Sequence, residues 1–281
     1  MAAASALFIF FWASGFIAAK FGLPYAEPFT FLTLRFLVAL AILVPLAILW
    51  QADWPSSLGV IGHIIVAGLL VQTIYLIGVF YGVYLGISTG VIALIVGLQP
   101  LITGALAAPV LGERVTVRQW EGLALGFVGL GLVVAEKVDL ASGQAWGAAF
   151  GALALAGITL GTLYQKRFCA ETDIRVAVTI QNGISLTVIA ILAVSVETMV
   201  INWTGEFVFT LLWSGIGLSV IAIYLYYLLV RHGAVGKVTS LIYLSPPTTV
   251  LMGWLMFDEI FAPMAMLGMM IAVAGVALAN R

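Results

Sequence analysis

Gln72 and Tyr75 stand three residues apart, and Gln99 and Thr103 four apart around Pro100, so each pair shares one face of a helix. Tyr243 precedes the run Ser245, Pro246, Pro247, Thr248 and Thr249, and Gln181 neighbours Asn182. All these side chains are neutral. They can hold a solute, or hold one helix against another, by hydrogen bonds. Bond-breaking would need a nucleophile with its base, paired acids or a set of metal ligands. Against that need the chain offers two histidines far apart, His63 and His232, and a single cysteine, Cys169. It has no GxxxxGK[ST] loop for nucleotide phosphates. Enzymatic activity, a metal site and a cofactor are therefore not expected.

The elements that carry these groups follow from composition. Of 281 residues, 63% are apolar and 8% are Asp, Glu, Lys or Arg, where a water-soluble domain carries roughly 25% charged residues. Mean hydropathy is +1.20. The charges, 11 basic against 12 acidic, nearly cancel and give no electrostatic basis for a nucleic-acid partner. The expected class is an all-α integral membrane protein whose partners are the bilayer and a small-molecule solute, with a monomer sufficient. Apolar runs long enough to cross ~30 Å of hydrocarbon lie near 3–20, 30–50, 58–80, 86–110, 117–135, 144–165, 175–196, 207–230, 236–257 and 261–279. Ten transmembrane helices are predicted. A β-barrel would need alternating polarity, which runs such as Ile92-Ala93-Leu94-Ile95-Val96 lack.

With the N-terminus inside, eight of the eleven basic residues fall on the cytoplasmic side and Lys20, Arg35 and Lys137 on the other. Both termini are thus predicted cytoplasmic. The start, Met1-Ala2-Ala3-Ala4-Ser5, lacks the basic region of a signal peptide and reads as part of the first span.

A shift of 146 residues brings the chain into register with itself. Gly15 meets Gly161, Lys20 meets Lys166, Tyr81 meets Tyr227, Gly90 meets Gly236, Pro100 meets Pro246 and Glu113 meets Glu259. Gly122 then meets Gly268, and Gly129 meets Gly275. The two units predicted are 1–136 and 144–281. Each holds five spans, so the second must cross the membrane in the opposite sense. Such inverted repeats are common in secondary transporters, which place the solute between the halves near the midplane.

The run Trp12-Ala13-Ser14-Gly15-Phe16-Ile17-Ala18-Ala19-Lys20, then Thr33-Leu34-Arg35-Phe36, then Pro100 to Gly112-Glu113, resembles the EamA-type transporters of the drug/metabolite transporter superfamily. In the second half Pro246 to Asp258-Glu259 is similar to the same helix end. The resemblance implies a central cavity lined by the first, third, fourth, sixth, eighth and ninth spans. It implies export of a small metabolite by alternating access, from a bacterial inner membrane. Small multidrug-resistance proteins, distant relatives by fold, use a membrane carboxylate for proton exchange. Here Ser14 stands in that region, so no proton relay is expected.

Candidate solute contacts are Trp12, Ser14, Arg35, Gln72, Tyr75, Gln99, Thr103, Gln181, Tyr224, Tyr243 and Thr249. Candidate hinges are Gly90, Pro100, Gly236 and Pro246, because proline removes a backbone donor and frees a carbonyl. Each has a plainer alternative: interhelical hydrogen bonding for the polar groups, passive kinks for the prolines, a lipid-facing position for Phe10-Phe11-Trp12. The positive charges of Lys20 and Arg35 could attract an anionic solute or the carboxylate of an amino acid; the simpler view is that they snorkel to headgroups or pair with Glu27. Glu259 has no base beside it in the sequence, and structural turns are expected at Glu113 and Glu259. Trp50, Trp54, Trp146 and Trp203 belong at the membrane interfaces. The solute expected is neutral or zwitterionic, such as an amino acid. A membrane scaffold or sensor that only binds a partner is the rival reading.

Overall fold

The computed structural model describes residues 2–111, 116–137, 144–222, 225, 244–259 and 263–279. These are helical almost throughout, as hydrocarbon requires of a backbone that must satisfy its own polar groups. In chain order the helices are α1 (Ala2–Gly22), α2 (Pro28–Leu49), α3 (Leu58–Tyr84), α4 (Thr89–Gly97 and Gln99–Leu111), α5 (Val117–Lys137), α6 (Gln144–Phe168) and α7 (Ile174–Val196). Then follow α8 (Gly205–Leu212, continuing through Trp213–Ile221), α9 (Ser245–Phe257) and α10 (Pro263–Ala279). Seven helices among the described residues are long and apolar enough to cross a membrane, and Gly205–Ile221 and Pro263–Gly275 are shorter apolar helices. The protein is an integral membrane protein. Of the ten expected spans, the eighth, ninth and tenth lie partly outside the described residues. Trp50, Trp54, Trp146 and Trp203 are all more than half exposed.

Two equivalent helices lie side by side and antiparallel. Glu197, just past the end of α7, accepts hydrogen bonds from the Phe29 and Thr30 N–H groups in the first turn of α2, at 2.8 and 2.7 Å. Near the opposite end, Ala47 of α2 packs with Val176 in the first turn of α7. Helices α5 and α10 repeat the pattern. A Cβ at Gly129 would sit 2.4 Å from the Gly268 carbonyl, and one at Gly275 would sit 2.6 Å from that of Gly122. Only glycine permits backbones to touch this closely. Since Gly122 and Gly268, and Gly129 and Gly275, are repeat partners, the two helices cross in opposite directions about one centre.

Helices α4 and α9 form a third antiparallel pair. Helix α4 breaks at Leu98 (φ −76°, ψ −10°), and α9 starts after Leu244 (φ −81°, ψ −8°), its repeat partner. The Pro246 ring packs on Gly97, where a Cβ would lie 2.6 Å from its Cγ. At the far end, the Thr89 hydroxyl at the start of α4 reaches Glu259 beyond α9. The two helices are therefore antiparallel and meet at their discontinuities.

A second device also repeats. Helix α3 widens into a π-helix over Leu69–Ile74, and α8 does so over Trp213–Ile221. Shifted by 146, the first segment falls inside the second. A π turn leaves backbone carbonyls poorly paired and is frequent at functional sites.

Candidate functional site

Arg35 lies seven residues into α2, about 10 Å from its start at 1.5 Å per residue and about 5 Å from its midpoint. Its side chain is buried, with 7% exposed, and its Nε has no hydrogen-bond partner. The Tyr75 phenol, directly after the π segment of α3, lies within electrostatic range of the guanidinium. From the other side the π segment of α8 presses on the same turn: a Cβ at Gly215 would lie 2.6 Å from Val38 Cγ1 and 3.3 Å from the Arg35 carbonyl.

Its repeat partner Gln181 on α7 is also buried, and the amide Nε2 has no partner. Asn182 donates to the Val178 carbonyl at 2.8 Å, but its Oδ1 is left unpaired. An unsatisfied buried polar atom costs about 1–3 kcal/mol. Around these groups the helices are fastened by Thr73, which donates to Ser185 at 2.9 Å, and by Gly68, whose backbone touches Gln181.

A second polar row joins α4 to α6. Gln99 Nε2 donates to Thr162 Oγ1 at 3.2 Å, and Thr162 donates to the Ile158 carbonyl at 2.6 Å. Beside it the hydroxyls of Thr103 and Thr159 are buried without partners. Ser14 donates to the Phe11 carbonyl and accepts from Trp213 Nε1 at 3.0 Å, while Trp213 stacks on Phe11. The fully buried Thr249 hydroxyl reaches the Ala13 carbonyl at 3.4 Å, tying α9 to α1. Trp12 packs against Phe8. Gln72 sits in the π segment of α3, half-buried. Gly90 is buried near the start of α4, and Pro100 is the second residue after its break. Tyr224, Gly236 and Tyr243 lie outside the described residues.

Thus Gln99, Ser14 and Thr249 carry interhelical bonds, whereas Arg35, Gln181 and Thr103 keep unpaired atoms. Sequence reasoning did not single out Trp213, Thr159 or Thr162. Thr159 and Thr162 sit three apart, a spacing visible in the sequence; the bond from Trp213 to Ser14 has no such signal.

One ion pair departs from the sequence expectation. Lys20 does not meet Glu27; its ammonium bonds Glu259 at 2.6 Å and lies 4.4 Å from the Phe257 ring. Glu259 also accepts from the Thr89 N–H and hydroxyl. Glu27 instead accepts from the Thr198 N–H and hydroxyl, and Tyr25 hydrogen-bonds Glu206. These contacts knit one end of the bundle, joining α1, α4 and α9, and the α1–α2 connection to the α7–α8 connection. At the other end Asp173 caps α7 and pairs with Arg175, whose hydrogen bonds hold that carboxyl below the usual aspartate range.

The sequence matches the profile of the EamA-like transporter family twice, over residues 2–135 and 145–281. The uncharacterized transporter YvbV of Bacillus subtilis is 25% identical, over 98% of this chain and 90% of that protein. A chloroplastic WAT1-related protein of Arabidopsis thaliana is 25% identical over 96% of this chain and 67% of its own. The uncharacterized inner membrane transporter YedA of Escherichia coli K12 is 24% identical over 95% and 86%. A solved crystal structure shares the fold, with a TM-score of 0.71 at 19% identity, over 98% of this chain and 95% of that one.

Proposed function

The chain belongs to the EamA-like transporter family, and on that premise we propose that it exports a small neutral or zwitterionic metabolite, such as an amino acid, by alternating access. It is a membrane transporter of the drug/metabolite transporter superfamily. In the proposed cycle the units 1–136 and 144–281 rock about their common centre in a bacterial inner membrane, with both termini cytoplasmic. Gln72, Tyr75, Gln99, Thr103, Tyr243 and Thr249 contact the solute, and Gly90, Pro100, Gly236 and Pro246 allow the rocking.

The observation that carries this reading is the recurrence of discontinuities beside unpaired polar groups. Helices α4 and α9 meet at equivalent breaks, and α3 and α8 carry equivalent π segments. Two inverted halves of similar design have similar energies when they exchange conformations, which is what alternating access needs. The buried, unpartnered atoms of Arg35, Thr103, Thr159, Gln181 and Asn182 suit a solute better than a permanently dry bundle.

Uptake by proteoliposomes of a labelled amino-acid and metabolite panel, with and without an imposed pH gradient, tests the proposal. Saturable flux without a gradient is expected. Flux that requires the gradient would overturn the uncoupled mechanism, and absence of any flux from folded protein favours a scaffold. Gln99→Ala removes the bond to Thr162 and one proposed contact. Transport is expected to fall roughly tenfold, the loss of about one hydrogen bond, with folded protein still in the membrane. Unchanged kinetics would remove Gln99 from the path.

A further inference from the structure

We propose that the solute carries a carboxylate and that Arg35 is its counter-ion, an assignment that rests on the transporter reading and narrows its substrate class. Three observations support it. The guanidinium, whose charge persists at neutral pH, is buried near the middle of α2 with Nε unpartnered. No described acid is paired with it. Ion pairs seen among the described residues join Lys20 to Glu259 and Arg175 to Asp173. The described carboxylates lie in connections or within five residues of a helix end, nearer the ends than Arg35, and Glu197 is occupied by the first turn of α2.

A lone cation inside a bilayer is costly and faces either a partner or water. Tyr75, the described group within electrostatic range of the guanidinium, is a neutral phenol at neutral pH, and the α8 π segment lies against the Arg35 carbonyl. No described acid supplies a counter-charge, and a solute anion meets the need. One fixed positive charge matches one negative charge, and the planar guanidinium fork fits a carboxylate with two parallel hydrogen bonds. An amino acid satisfies this within the zwitterionic class proposed above, and a simple monocarboxylate serves as a probe of the same fork; a neutral sugar or an amine does not fit. Arg35 lies within electrostatic range of Tyr75, the residue that follows the π segment of α3, and its carbonyl faces Gly215 in the π segment of α8, so a solute seated on it is placed beside both.

The test is the thermal unfolding midpoint of the purified full-length protein in neutral detergent, in chloride-free buffer. The probes are matched series: L-amino acids against their amides, and monocarboxylates against their carboxamides. A ligand that binds only the folded state raises the midpoint in proportion to its occupancy. Carboxylates are expected to raise it in a saturable way and amides not. Arg35→Lys should weaken the apparent affinity about tenfold through loss of the fork, and Arg35→Gln on the order of a hundredfold. Should Arg35→Gln fail to fold, the carboxylate–amide contrast in the unaltered protein and the Arg35→Lys series still decide.

Equal shifts from acids and amides, no shift from either, an equal shift from chloride, or full retention of the shift in Arg35→Gln would overturn the assignment. Flux of neutral solutes into proteoliposomes would then leave the transporter reading intact. Absence of all flux, with carboxylate binding preserved, would instead remove the transport reading and keep the anion site.

Discussion

At the residue scale, the charged side chains have two separate fates. Lys20 and Glu259 are 239 positions apart and neutralise each other at one end of the bundle, while Arg35 is buried with its Nε unpartnered among the described residues. The Glu259 side chain is only 8% exposed and that of Lys20 34%, so solvent partly screens the pair. Lys20→Met strands the carboxylate and is expected to cost about 1–3 kcal/mol in unfolding experiments in detergent. Adding Glu259→Gln should recover part of that loss, since the amide can still accept from Thr89; additive losses would show that the pair does not couple. The sequence marked Lys20, Glu259 and Arg35 individually. It offered Lys20 the headgroups or Glu27 and not Glu259, because Glu27 is near in sequence, whereas Glu259 is near only after α1, α4 and α9 converge.

At the element scale, the contact between α5 and α10 is built on glycine. Gly268→Leu would drive a side chain into the Gly129 carbonyl, 2.6 Å from the first added carbon. Backbone cannot yield as a flexible side chain does, so a loss of about 1–3 kcal/mol is expected. Gly131→Leu, also on α5, meets nothing within 4 Å and should leave the unfolding midpoint nearly unchanged. Similar losses at both sites would argue against a specific α5–α10 interface. These glycines were legible as repeat partners, but their contact was not. Spacing alone does not say which helix lies opposite. The π segments of α3 and α8 left no mark in the reading of Leu69–Ile74 or Trp213–Ile221, because a π turn and an α turn differ by one residue in a hydrogen-bond ladder that both apolar runs can form. The prolines, conversely, were visible, and Pro246 does sit at a helix start, packed on Gly97.

For the whole molecule, the test is orientation. Cys169 is a poor reporter of side: it is buried, and burial pushes its thiol up, which slows reaction of the thiolate. A Cys169→Ser background with Glu171→Cys or Asn202→Cys uses exposed positions at opposite ends of α7. An impermeant thiol reagent should label Asn202→Cys on intact cells and Glu171→Cys only after permeabilisation; the reverse pattern would invert the molecule. What the sequence determined by itself was the membrane class, the apolar helices and the 146-residue repeat, because hydrophobic length and a constant offset are properties of the linear chain. Only the tertiary structure decided that α2 meets α7 and α5 meets α10, and that α4 and α9 cross at their breaks. It also decided which of Gln99, Thr249, Arg35 and Gln181 spend their hydrogen bonds on neighbouring helices. That outcome depends on which faces of distant helices approach, and the pairing of a buried polar atom is settled only by what stands within about 3 Å of it.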